Sequence, residues 1–191
     1  MRCVPTSSAR PYHHGDLRAA LVRSAVEVIE EVGPAAMSMR EVARRAGVTH
    51  ASATYHFGDK AGLLTAVATQ GYRLLAEALE EAQRTRRSFL EVGVAYVKFA
   101  VTHRAHFEVM FRPELYYPED PELRRAQAAN AVILYGVRRA STQQLAAGVA
   151  AWSLVHGIAT LWLNDNLPPQ LGDDPEEITR LVAAHLRVGR R

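Results

Sequence analysis

The seven consecutive residues His50, Ala51, Ser52, Ala53, Thr54, Tyr55 and His56 carry the chain's most informative chemistry, with no acid and no lysine among them. Read as a helix with Ala53 and the following Phe57 turned inward at a spacing of four, the stretch presents imidazole, hydroxyl and methyl groups on its outer side. Such groups hydrogen-bond to base edges and phosphate oxygens, and a small methyl packs on the thymine methyl. An ordinary solvated helix face carries Glu or Lys, and this one carries neither. Arg40, His50, Ala51 and Ser52 suit base edges. Ser38, Thr54, Tyr55, His56 and Lys60 suit phosphates, Lys60 because free amides and the helix dipole at the start of the next helix favour an anion. Thr49 is placed to cap the helix that carries the set and is itself expected among the DNA-binding residues. The expected partner is double-stranded DNA.

The elements that must hold these residues are legible in Met37 to Leu64. A helix over Ser38 to Ala46 turns Val42, Ala43 and Ala46 inward and Arg40, Arg44 and Arg45 outward, and the small Ala43 lets the next helix cross closely. Gly47 falls where the chain must turn with positive φ after a helix end, a conformation cheap only for glycine. Val48 plugs the corner, and a helix over His50 to Phe57 follows. Helix, glycine turn and second helix form the layout of a helix-turn-helix, whose second helix enters the major groove. The competing reading is a three-helix packing unit with no ligand.

Helical periodicity extends over the rest of the chain, and alternating β-branched runs bounded by turn pairs are missing. A first helix is expected over Asp16 to Val32, with Leu17, Leu21, Val28 and Val32 inside and Gly33-Pro34 as its stop. A long helix follows from Lys60 to about Gln83, then a polar break over Arg84 to Arg87. Further helices are expected from Ser88 to about His103, from Ala105 to Phe111, from Pro121 to about Arg139, from Thr142 to Asn164, and from Pro175 onward behind an Asp174 cap. The segment Arg112 to Pro121 carries three prolines and reads as a loop. The fold class is therefore all-α, behind a flexible arm over 1–14.

Composition bounds the function classes. A hydrophobic fraction of 48% is globular, and a net charge of +3 over 191 residues makes any basic surface local. The single cysteine, Cys3, rules out an intrachain disulfide and suits a reducing compartment, so the expected location is cytoplasmic. The first fifteen residues lack the apolar run of a signal peptide. Arg2, Arg10, His13 and His14 there could brush phosphates, or the arm is simply solvated.

The body offers three features. Ala140 to Asn164 contains no Asp, Glu, Lys or Arg over 25 residues. Its length invites a membrane reading, but its Ser, Thr, Gln and His content and many alanines favour a helix covered on two sides, by its own core and by a partner subunit. Trp162, Leu163, Ile178, Leu181 and Leu186 are the expected dimer contacts. The second feature is a convergence of Tyr96, Phe99, His103, Phe107, Met110, Phe111, Trp152 and His156, whose apolar walls and few polar groups suit a small hydrophobic effector, or else ordinary core packing. Third, His103, His106 and His156 lack companion Cys or paired acids, so no metal is expected. No nucleophile motif, phosphate loop or carboxylate pair points to an enzyme, and no cofactor is expected. The rival class is an all-helical small-molecule carrier or enzyme with a purely structural helix-turn-helix.

The run Ala43 to Thr49, followed by Tyr55 to Lys60 and Leu63-Leu64, resembles the TetR family of one-component transcriptional regulators, and His13 to Arg18 is similar to the lead-in of many members. The likeness covers about Tyr12 to Val67, roughly a third of the chain. Two positions depart from it: Thr54 stands where the family usually has tyrosine, and Gly62 replaces a better helix former. Phe107 to Phe111 and Trp152 to Gly157 look like a C-terminal ligand-binding class of that family named for its Trp, His and Gly. The resemblance implies an Ω-shaped all-helical homodimer, each subunit with a three-helix DNA-binding domain over 15–61 and a six-helix ligand-binding and dimerisation body over 62–191. Such a dimer would bind a palindromic operator as a repressor and be released by a small hydrophobic effector.

Overall fold

A computed structural model describes residues 14–86, 88–135 and 140–185. Among the described residues the regular structure is helical: α1 (His14–Ala36), α2 (Met39–Arg45), α3 (His50–Phe57), α4 (Lys60–Arg86), α5 (Phe89–Thr102), α6 (Arg104–Met110), α7 (Pro121–Tyr135), α8 (Thr142–Leu163) and α9 (Pro175–Ala184), with short 3-10 turns at Pro113–Leu115 and Pro169–Leu171. The all-α reading holds. Most of the arm expected over 1–14, Cys3 included, lies outside the described residues, as do the expected end of the seventh helix at Arg139 and Leu186.

Caps and breakers place the helix ends. The backbone of α1 leaves helical geometry at Gly33 (φ 76°), and a last turn from Pro34 to Ala36 follows. Ser38 Oγ accepts the Glu41 N–H at 3.3 Å to open α2, and Ser141 and Gln144 form a reciprocal capping box on α8. Asp174 Oδ1 accepts the Glu176 N–H at 2.8 Å and so starts α9, with Pro175 in the first helical position. Two expectations fail. Val32 is 52% exposed rather than inside, because the break at Gly33 turns the last residues before it away from the core. Arg84 to Arg86 continue α4 instead of breaking it, since exposed arginines are good helix formers and neither Gly nor Pro interrupts them.

α4 is the spine. It packs against α1 and α3 at one end and against α5, α6 and α7 along its length, while α5 also meets α8 and α9. The expected division after residue 61 therefore falls within the first turn of one continuous helix. Leu63, Leu64, Val67, Leu75 and Leu79 on α4 are all fully buried, and their core runs on from Leu21, Ala25, Val42 and Ala53 to Tyr96, Met110 and Leu123 without a gap. The body also touches the three N-terminal helices through α6, which packs on α1. Movement of α4 or α6 must therefore be felt at the N-terminal helices.

Candidate nucleic-acid interface and effector site

α3 is built as its pattern predicts. Ala53 and Phe57 are buried, which seats the helix against α2 and α4. Thr49 Oγ1 accepts the Ser52 N–H at 3.1 Å, so the Thr49 hydroxyl is engaged as a cap. Gly47 turns the chain at φ 69°, and the Val48 N–H donates to the Ala43 carbonyl at 2.9 Å, closing the corner between the helices. His50, Ala51, Thr54 and Tyr55 are exposed, Tyr55 at 85%, while Ser52 and His56 are half-buried. Arg40 and Ser38 are also exposed, on and just before α2. One rigid corner thus carries the expected base-facing and phosphate-facing residues.

The cations around that corner divide into two kinds. Arg45 donates to both carboxylate oxygens of Glu31 on α1, at 2.6 and 2.5 Å, and its Nε donates to Glu41 at 2.9 Å. Arg44 pairs bidentately with Glu41 at 2.8 and 2.7 Å. Bonds first from Arg44 and then from Arg45 hold the Glu41 carboxyl down at about 2. Arg45 is therefore a staple between α1 and α2 rather than the outward cation that spacing suggested. Lys60 is similarly engaged: its Nζ donates to the Ala35 carbonyl at 2.7 Å. Beside it, Asp59 Oδ1 accepts the Gly62 N–H at 2.9 Å and Oδ2 accepts the Tyr117 hydroxyl at 2.6 Å. A carboxylate of the chain itself thus already stands at the start of α4. The Tyr117 N–H donates to Thr65 Oγ1 at 3.0 Å, so the loop after α6 is tied to the start of α4 twice.

Gly62 belongs to the same joint. A Cβ at this position would lie 1.9 Å from the Phe57 carbonyl oxygen, so the close crossing of α3 and α4 requires glycine. Sequence reasoning saw only a poor helix former there. The one available signal was its place five residues after a buried aromatic at a helix end. Arg18, 5.1 Å from the centre of the Phe57 ring, is a second contact that went unread.

Within the body, six of the eight expected effector residues converge. Tyr96, Phe107, Phe111, Trp152 and His156 form a web of ring contacts with centroids 4.7 to 6.2 Å apart, and the buried Met110 accepts the Tyr72 hydroxyl on its carbonyl at 2.9 Å beneath it. Trp152 Nε1–H donates to the Tyr96 oxygen at 3.2 Å. The Tyr96 proton is then free for His156 Nδ1 at 2.8 Å, which assigns the imidazole proton to Nε2. Burial lowers the His156 pKa and so favours this neutral form. Phe99 and His103 stand apart, stacked on each other at 4.9 Å. His106, next to them, is buried with Nε2 on Gln70 at 3.1 Å and Nδ1 without a partner. No group of three or more His, Cys, Asp or Glu able to hold a metal occurs among the described residues.

Open space in the body lies elsewhere than the aromatic web. A groove of about 1040 Å³ runs between α1, α4 and the Tyr117 loop, with Arg18, His56, Arg73 and Glu122 on its walls. It is wide and lined by charges of both signs, a junction between two lobes rather than a fitted site. A tighter cleft of about 210 Å³ lies against the far side of Trp152. Of the expected dimer contacts, Leu181 is exposed and Trp162 and Leu163 are half-buried. Ile178 is 1% exposed inside its own subunit and presents nothing to a partner, because the α9 face it occupies packs on α5.

Comparison with known proteins agrees with this geometry. The profile described as "Bacterial regulatory proteins, tetR family" matches residues 21–67, and "Tetracyclin repressor-like, C-terminal domain" matches residues 89–186, about half of the chain. The HTH-type transcriptional regulator BetI of Ectopseudomonas mendocina is 29% identical over 88% of this chain and 91% of its own. Other BetI relatives align over less, the chain spanning 32% and 45% of the length of two of them. A Rhodococcus sp. RHA1 protein of unknown function has a solved structure that superposes with a TM-score of 0.74 at 30% identity, over 92% of this chain and 96% of that one. The TetR family regulator PfmR of Thermus thermophilus shares the fold, with a TM-score of 0.63 at 19% identity over 89% and 99% of the two chains. A helix-turn-helix with an exposed, acid-free second helix, joined through α4 to a helical body matched along its length, makes this chain a member of the TetR family of transcriptional regulators.

Proposed function

We propose that the chain acts as a homodimeric repressor that binds a palindromic operator and leaves it when a small hydrophobic effector enters the body. The observation that carries this reading is the exposed polar face of α3 on a capped and stapled helix-turn-helix. Arg40, His50, Ala51 and Ser52 address base edges, and Ser38, Thr54, Tyr55 and His56 address phosphates. Lys60 joins them by exchanging the Ala35 carbonyl for a phosphate oxygen.

Dimerisation is supported by α8. It is long and apolar enough to cross a membrane by length and composition, yet α5 and α7 cover one side of it. Leu145, Val149 and Leu161 on it, and Leu181 of α9, are exposed apolar side chains that a second copy would cover. Two copies on one face of DNA add their contact energies, which a single module reading few base pairs needs. Release follows by population shift: an effector that repacks the web around His156 moves α6 and α4, and the two recognition helices lose the fixed spacing of the half-sites. A coupling of about 1–3 kcal/mol changes affinity roughly 5–150-fold. Reading DNA requires access to the chromosome, so the cytoplasm is the proposed location.

A gel-shift titration with DNA from upstream of the protein's own gene tests the reading, with random duplex as competitor. His50→Ala is expected to lower discrimination between the two DNAs. Lys60→Ala is expected to weaken both alike and to flatten the salt slope by about one. Equal losses on both DNAs for His50→Ala would remove its role as a reader.

A further inference from the structure

The cleft behind Trp152 has walls that restrict what it can hold. It lies between the start of α5, the end of α7, the middle of α8 and the end of α9, lined by Phe89, Leu90, Leu134, Trp152, Val155 and Ala183 among others. Among the described residues on those walls, Trp152 supplies the one polar side-chain atom, and its N–H is already given to Tyr96. A charged or strongly polar molecule there would lose water and find no side-chain partner among the described wall residues. Among the described residues the charged pair nearest in sequence, Glu91 with Arg180, is bidentate at 3.0 and 3.1 Å, and Arg180 also reaches Glu176 at 3.6 Å.

Size narrows the occupant further. About 210 Å³ is far too little for a helix, which is about 10–12 Å across. An apolar cavity of about 150 Å³ accepts benzene, so this one has room for a single or fused pair of rings. Trp152 is also the shared wall between the cleft and the aromatic web: it meets Tyr135 at 5.9 Å, His156 at 5.4 Å and Phe111 at 6.2 Å. A molecule pressing on its outer face therefore acts on the Tyr96–His156 bond and on α6 without entering the web.

We propose that this cleft is the effector site and that its ligand is a small uncharged apolar molecule of one or two rings, sensed through Trp152. The proposal rests on the effector-released regulator reading and moves its site outward from the aromatic web. Walls of small residues make it testable, because Ala151 and Ala183 can be enlarged into the space.

The experiment is calorimetric titration of the full-length protein with naphthalene, naphthalene-1-sulfonate and 1-naphthylmethyl-trimethylammonium, repeated on Ala151→Phe and Ala183→Phe. Helical circular dichroism checks that each variant is folded, and either folded variant suffices. Naphthalene is expected to bind once per subunit, with both charged analogues weaker by at least about tenfold and the filled variant weaker by at least about tenfold. No uptake of naphthalene, equal binding to wild type and a folded filled variant, or preference for a charged analogue would each overturn the proposal. Gel shifts on the same preparations separate the two readings. Protein that binds its upstream DNA but takes up no naphthalene refutes the cleft alone, whereas uptake without DNA binding refutes the regulator reading and with it the effector role, leaving the cleft as a binding site only.

Discussion

Replacing Gly62 with alanine sets two physical effects against each other, and the structure decides the sign. Helix propensity alone favours the change by about 1 kcal/mol, since glycine is costly inside a helix. The added Cβ, however, would lie 1.9 Å from the Phe57 carbonyl oxygen and 3.1 Å from its carbon. Ordinary contact distances begin at about 3.5 Å, so α3 and α4 must separate by roughly 1.5 Å. Both obstructing atoms are backbone, and no side-chain rotation relieves them. Overpacking of this kind costs about 1–3 kcal/mol, and a backbone obstruction belongs at the upper end of that range. The net expectation is a loss of about 1–2 kcal/mol, or a Tm lower by about 2–8 °C for a chain of this size. Thermal melts of wild type and Gly62→Ala at equal protein concentration measure it, because the Tm of the proposed dimer would move with concentration. DNA affinity should fall as well, since the same separation tilts α3 on its seat. A variant that melts at or above the wild-type temperature, with DNA binding unchanged, would show that the crossing of α3 and α4 does not need glycine.

Two further outcomes follow from the body. Val149→Glu combined with Leu181→Glu should yield monomers in sedimentation velocity, since each side chain is about half exposed in the subunit, covering the rest of it contributes about 1 kcal/mol, and an acid buried there without a partner is costly. DNA affinity should fall with dimerisation, and dimers persisting at micromolar concentration would place the interface elsewhere. His106 predicts a pH dependence. Burial first, and His103 second, lower its pKa to about 4, against about 6.5 in the unfolded chain. The unfolded state therefore binds the proton first, so stability is full above about pH 6.5 and falls as the pH drops towards 4, by up to about 3 kcal/mol. Urea midpoints at neutral pH and at pH 5 should differ less in His106→Gln than in wild type, and an equal difference would contradict this.

The helix-turn-helix was legible because its determinants are local. Thr49, Ala53, Phe57 and Gly47 each constrain a backbone or packing feature within a few residues, and all four act as their types predict. What pairs across elements was not legible. Arg45 reads as an outward cation until Glu31, fourteen positions earlier, is placed beside it by the packing of α1 on α2. Tyr117 reads as loop until it meets Asp59, 58 residues away. In the body, residue type brought Tyr96 together with Trp152 and His156, whereas spacing along α5 grouped Tyr96 with Phe99 and His103, which stack apart from the web. Neither could separate the filled web from the open cleft, because web and cleft are made of the same apolar residue types and differ only in how closely α5, α8 and α9 approach. Ile178 shows the same limit: α9 has one apolar face towards its own core and Leu181 on another, and the sequence does not label which is which.

Whether α3 reads bases from a paired scaffold is best decided by selecting binding sites from a random duplex library, at fixed salt and with wild type and His50→Ala in parallel. Wild type is expected to enrich an inverted repeat whose half-site centres lie about one helical turn, or a multiple of it, apart. His50→Ala is expected to enrich the same repeat made degenerate at specific positions within each half. A single unpaired motif, or sequences enriched identically by both proteins, would rule out base reading by a paired α3.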